Sequence, residues 1–128
     1  MTHHVKHFLL KEFDCPCCGK SIVAVELVFW LDVFRRAIGK PLQVNSGYRC
    51  EPRNKFVYGS EKSRHMIGCA ADLAKPARIE YADFSALARR LAGDGWEIET
   101  YPSGTYIHIA VPRAAANKVW TGERDITI

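Results

Sequence analysis

Residues 63–73 read SRHMIGCAADL, which sets an imidazole, His65, and a carboxylate, Asp72, seven positions apart with small residues between them. Both side chains are zinc ligands, and a catalytic zinc keeps three protein ligands with one position open. If the chain turns at Gly68, His65 and Asp72 can reach one ion; if not, the stretch is a turn between two core elements. His108, in YIHIAV, is the candidate for a third ligand. On a strand, Ile107 and Ile109 facing a core would turn His108 to the other face. A lone strand histidine is also commonly structural or solvated, so spacing alone leaves the metal site as one of two readings.

The elements that must position these residues follow from periodicity. From Ser21 the pattern is helical, with Leu27, Trp30, Leu31, Phe34 and Ile38 on one stripe and Gly39 placed to end it. Leu42 to Tyr48 alternates as a short strand broken by Gly47. Cys50 to Arg64 is polar, carries Pro52 and Gly59, and is expected to be a long surface loop. CAADLAK reads as a buried strand, and Phe84, Leu87, Ala88 and Leu91 mark a second helix closed by GDG. WEIETY and TYIHIAV alternate with period two around PSG and form a hairpin, and the terminal DITI is a further edge strand. The order predicts an α+β fold with an antiparallel sheet.

At 128 residues the chain is expected to be one domain, 1–128, able to bury a core without staples. The net charge of +4 is modest and its basic residues are scattered, which gives no nucleic-acid footprint. The run SIVAVELVFWLDVF is interrupted by Glu26 and Asp32, short of the roughly 18 apolar residues of a membrane span. MTHHVKHFLLKEFDC lacks the apolar core of a signal peptide, so synthesis in the cytoplasm without export by that route is expected. Five cysteines, an odd number with three in CPCCG, point to a reduced site of synthesis rather than a disulfide framework.

The words around the candidate ligands carry more. Ser46, Gly47, Tyr48 and Arg49, then Asn54, Val57 and Gly59, then Ser63, His65, Gly68, Ala70 and Asp72, and finally YPSG with IHI, stand in an order that resembles the M15 family of zinc peptidases. That family holds D-alanyl-D-alanine carboxypeptidases and phage endolysins and shares its fold with the hedgehog signalling domain. The likeness runs from about Phe13 to about Val111, and EFDCPCCG is similar to its small cell-wall-active members. The resemblance implies a hedgehog/DD-peptidase-like α+β fold with helices packed on one side of the sheet. It implies Zn2+ held by His65, Asp72 and His108, and a peptidoglycan stem peptide as substrate, bound by Arg49 and with Ser63 supporting the substrate or the loop; Tyr106, from its place near His108, is a further candidate for substrate binding. Arg49 would also stabilise charge beside the metal. A monomer acting at the cell wall or periplasm, encoded by a phage or prophage, fits the same picture.

One departure matters. Peptide hydrolysis needs a carboxylate to take the proton of the attacking water. In some family members it stands three residues before the last ligand, here Thr105, and in the small members an aspartate follows that ligand after one residue, here Ala110. Both positions lack an acid. Glu97 and Glu99, two apart on one face of the preceding strand, are the candidate replacements; the other readings are solvent-facing residues and a catalytically weak homologue that recognises wall peptide, for example in a phage particle.

CPCCG also invites a second zinc, with His3, His4 or His7 as a further ligand, although structural sites favour two spaced pairs and a buried turn with reduced thiols is the alternative. The three histidines otherwise read as a frayed terminus, and Cys69 as a small buried residue. Tyr101 and Tyr106 flank the hairpin turn, either lining a groove or simply exposed.

Overall fold

The stripe from Leu27 to Ile38 lies on helix α1, Val25–Ile38, and Gly39 closes it in the left-handed conformation with its N–H donating to Arg35 O. The structure, a computed structural model, describes residues 1–127. Strand β2 is Val44–Ser46, β3 is Ala70–Ala74, helix α3 is Tyr81–Leu91, and β4, Glu97–Thr100, turns back into β5, Tyr106–Ala110. The four strands form one antiparallel sheet in the order β2-β3-β5-β4. Among the described residues no helix is long and apolar enough to cross a membrane.

Alternation divides the sheet into two faces. Ala71, Leu73, Ile107 and Ile109 are fully buried and share a core with Leu27, Leu31, Phe34, Phe84 and Ala88 from α1 and α3. Phe34 stacks on Phe84 with ring centroids 5.5 Å apart and meets Trp30 at 5.0 Å. Burying each such side chain contributes about 1.5–3 kcal/mol, enough to fix which face points inward. On the opposite face Ser46, Asp72, His108 and Glu99 pair in register, one from each strand, and form a single row across the sheet.

Two expectations change. The polar stretch from Cys50 to Arg64 is not all loop: Glu51–Phe56 forms a short helix, α2, because Pro52 fits its first turn and loses no needed N–H there. This helix lies on the site side, while α1 and α3 cover the core face. The N-terminus is not frayed either. Thr2–His4 forms β1, which pairs with Asp125–Thr127, β6, in a separate two-stranded sheet. Buried Asp32 of α1 anchors it, accepting from the Lys6 and His7 N–H groups and meeting His3 Nε2 at 2.8 Å. The edge strand expected at DITI is thus real but belongs to this small sheet, and its last residue, Ile128, lies outside the described residues.

Candidate metal centre

Asp72 sits inside the row because β3 alternates: Ala71 and Leu73 are drawn into the core, and Asp72 is left facing the other side. His108 stands directly opposite it on β5 for the same reason, between buried Ile107 and Ile109. His65 arrives from a 3-10 turn, Arg64–Ile67, whose first N–H groups are capped by Ser63: its Oγ accepts from the His65 N–H at 3.2 Å. Gly68 ends the turn at φ +75°, and a Cβ there would lie 2.7 Å from Ile22 O, so both conformation and space demand glycine.

The three side chains converge, with one ligating atom from each lying within 4.8 Å of the others. Asp72 Oδ1 is 3.2 Å from His65 Nε2 and 3.0 Å from His108 Nδ1. The other nitrogen of each ring is occupied in a way that fixes its tautomer. His65 Nδ1–H donates to Gly47 O at 2.7 Å, and His108 Nε2–H donates to Glu97 Oε1 at 3.2 Å. The nitrogens that face the carboxylate, His65 Nε2 and His108 Nδ1, hydrogen-bond to it, and their lone pairs would be freed for a metal ion on loss of a proton. Two imidazole nitrogens and one carboxylate oxygen, each imidazole held from behind by an acceptor, is a donor set that fits Zn2+.

Charge is balanced inside this pocket. Burial would raise the Asp72 carboxyl, but hydrogen bonds from His108 and His65 outweigh it and hold the group well below the ordinary carboxylate range. Burial would lower His108, and its contacts with Asp72 and Glu97 push it up instead. Arg49 completes the arrangement, donating from Nη2 to Asp72 Oδ2 at 3.2 Å, from Nη1 to Asn54 Oδ1 at 3.2 Å and from Nε to Ser46 Oγ at 3.1 Å. Asn54 is buried and is itself held by Ser60 O at 2.8 Å. Ser46 and Asn54 are legible in the sequence only as motif positions; their work is to aim the guanidinium, and no local pattern in the polar stretch around them signals it.

Glu97 and Glu99 both open onto the site's cavity of about 440 Å³, along with Arg49, Lys62, Tyr101 and Tyr106. They differ in how they are engaged. Glu97 is hydrogen-bonded to His108 and lies 3.7 Å from Arg64 Nη2, whereas the side-chain hydrogen bond of Glu99 among the described residues is to the Tyr101 hydroxyl, at 3.4 Å, with its carboxylate within 4.8 Å of a His108 ring nitrogen. Ala110 is buried and its register partner on β4 is Glu97, so a carboxylate faces the position across the strand. Thr105 lies outside the cavity lining, beside Ser103. Tyr101 and Tyr106 stack with centroids 4.4 Å apart and form one wall of the cavity; burial, and then the charge of Asp72, pushes both phenols up. Cys69 is a fully buried core residue.

Comparison with known proteins gives a family for the chain. The Peptidase M15 family model matches residues 6–110. A zinc D-Ala-D-Ala carboxypeptidase of Streptomyces albus G is 38% identical over 74 residues, which cover 57% of this chain and 28% of that relative. The matched stretch is thus less than a third of the curated relative's length.

Proposed function

This chain belongs to the M15 peptidase family, and we propose that it hydrolyses peptide bonds in peptidoglycan stem peptides at the cell wall or periplasm, as a D,D-carboxypeptidase or an endolysin-type endopeptidase. The observation that carries the reading is the convergence of His65, Asp72 and His108 beside Arg49 in one cavity. Zinc held by those three residues supplies Lewis acidity, polarising the scissile carbonyl and making water acidic near neutral pH.

The chain's own residues do the rest. Arg49, fixed by three hydrogen bonds, presents a cation to the oxygen on which negative charge develops, and being held in place beforehand it needs no reorganisation during reaction. Glu99 takes the proton of the attacking water and returns it to the leaving amine. It is the less engaged of the two β4 carboxylates, since Glu97 accepts from His108 and lies 3.7 Å from Arg64 Nη2. Glu97 holds the His108 ring and keeps its Nδ1 lone pair in position. Ser63 supports the His65 turn, and the stacked Tyr101 and Tyr106 rings offer a flat wall to the peptide. Lys62, on the cavity rim, offers a second cation to a substrate carboxylate.

A wall-peptide binder without turnover is the competing reading, motivated by Thr105 and Ala110. Two carboxylates from β4 in the same cavity weigh against it. The test is to measure bound zinc, then assay D-alanine release from a pentapeptide and new amino groups from purified cell walls. D-alanine release alone identifies a carboxypeptidase and new wall amines alone an endopeptidase. Zinc-loaded protein that does neither refutes hydrolysis, and in that case Ala110→Asp is expected to create it.

A further inference from the structure

Residues 15–19, Cys-Pro-Cys-Cys-Gly, form a tight turn: Cys15 N–H donates to Lys20 O and Gly19 N–H to Cys15 O, each at 2.8 Å, with Gly19 at φ +75°. The turn lays Cys18 beside Cys15. Cys50 comes in from the start of α2. Its sulfur lies 3.6 Å from that of Cys15, and its N–H donates to the Cys15 sulfur at 3.5 Å. The sulfurs of Cys15, Cys18 and Cys50 all lie within 4.8 Å of one another, and Cys17, in the same turn, is exposed.

This is the geometry of a thiolate metal site. With zinc–sulfur bonds near 2.3 Å, tetrahedral thiolates stand about 3.8 Å apart. The Cys50 N–H, pointing at the Cys15 sulfur, supplies partial positive charge of the kind a sulfur anion needs. At 3.6 Å the Cys15 and Cys50 sulfurs are not bonded, and a disulfide would need them to move together by more than an ångström.

We propose that Cys15, Cys18 and Cys50, with Cys17 as the fourth sulfur, bind a structural zinc ion distinct from the one at the sheet. Of the histidines considered for this role, the rings of His3 and His4 are held by Asp32 and Asp125, and among the described residues no histidine nitrogen joins the three sulfurs within 4.8 Å. On binding, four zinc–sulfur bonds form and the four thiol protons pass to solvent. The clip joins the N-terminal segment to the residue that follows Arg49 and precedes the helix carrying Asn54, so it fixes the base of the arginine's support.

The experiment uses the full chain loaded with zinc or cobalt. Two metal ions per chain are expected, with a thiolate-to-cobalt charge-transfer band in the near ultraviolet. The band persists in His108→Ala, weakens by about a quarter in Cys17→Ser and collapses in Cys18→Ser, which also loses one metal ion. Titrating wild-type thiols with a mercurial reagent should release one zinc, which checks the site without any variant. One metal ion per chain with no charge-transfer band, or a thiol count showing a disulfide, would overturn the proposal. A band unchanged in Cys17→Ser would overturn the four-sulfur set. None of these results depends on whether the His65 site is catalytic.

Discussion

Replacing Glu99 by Gln keeps the side chain's size and removes its ability to take a proton. Its one side-chain partner among the described residues is the Tyr101 hydroxyl at 3.4 Å, a long contact, so folding should change little. Loss of a general base costs about 10²–10⁴ in kcat, roughly 3–5 kcal/mol on the barrier. Glu97→Gln should behave differently. The amide oxygen can still accept from His108 Nε2–H, and what is lost is the charge on that bond, about 1 kcal/mol, or about fivefold in zinc affinity. Glu97→Ala removes the acceptor and should weaken zinc binding by about 10–100-fold. The assay is D-alanine release at saturating zinc, with zinc affinity read separately by competition against a chelating dye. If Glu99→Gln keeps more than about a third of kcat, or if Glu97→Gln loses about 10² at saturating zinc, the division of labour between the two acids is wrong.

Gly59→Ala should depress kcat/KM by about tenfold or more with little loss of stability, since a Cβ there would come within 2.1 Å of Asn54 Oδ1 and 3.0 Å of Arg49 Nη1; steady-state kinetics beside a melting curve checks it. Asp32→Asn should cost about 3 kcal/mol at pH 7 by denaturant unfolding, because it uncharges a buried group that binds His3, Arg36 and two backbone N–H groups. Burial opposes but those partners lower the folded Asp32 pKa, so its contribution is fully present above the unfolded value near 4 and disappears as pH falls through the folded one; the gap between wild type and variant should close below about pH 4. Removing metal with a chelator should lower Tm, and His65→Ala should abolish that part of the shift due to the sheet site, as followed by calorimetry.

Much of the site was legible because strands report their faces. Ile107 and Ile109 fix where His108 points, and the same alternation puts Glu97 and Glu99 on one side of β4. What alternation cannot report is which residues of neighbouring strands stand opposite. The row of Ser46, Asp72, His108 and Glu99, and the facing of Ala110 by Glu97, depend on pairing register set by the loops between strands. The N-terminal strand was hidden because its partner lies more than a hundred residues away and its anchor, Asp32, reads locally as a charge interrupting a helix stripe. Cys50 was hidden from CPCCG for the same reason: a contact across 35 residues leaves no local pattern.

The sheet order has a bearing on how such a protein can change over time. The two strands that carry Asp72 and His108 are central, each paired on both sides, whereas the strand that carries both acids is an outer one. Substitution on an outer strand disturbs one set of neighbours, and substitution on an inner strand disturbs two. On the proposed assignment, the proton-handling group is mounted on the more exchangeable part of the frame, where it can be replaced while the proposed ligands on β3 and β5 stay where they are.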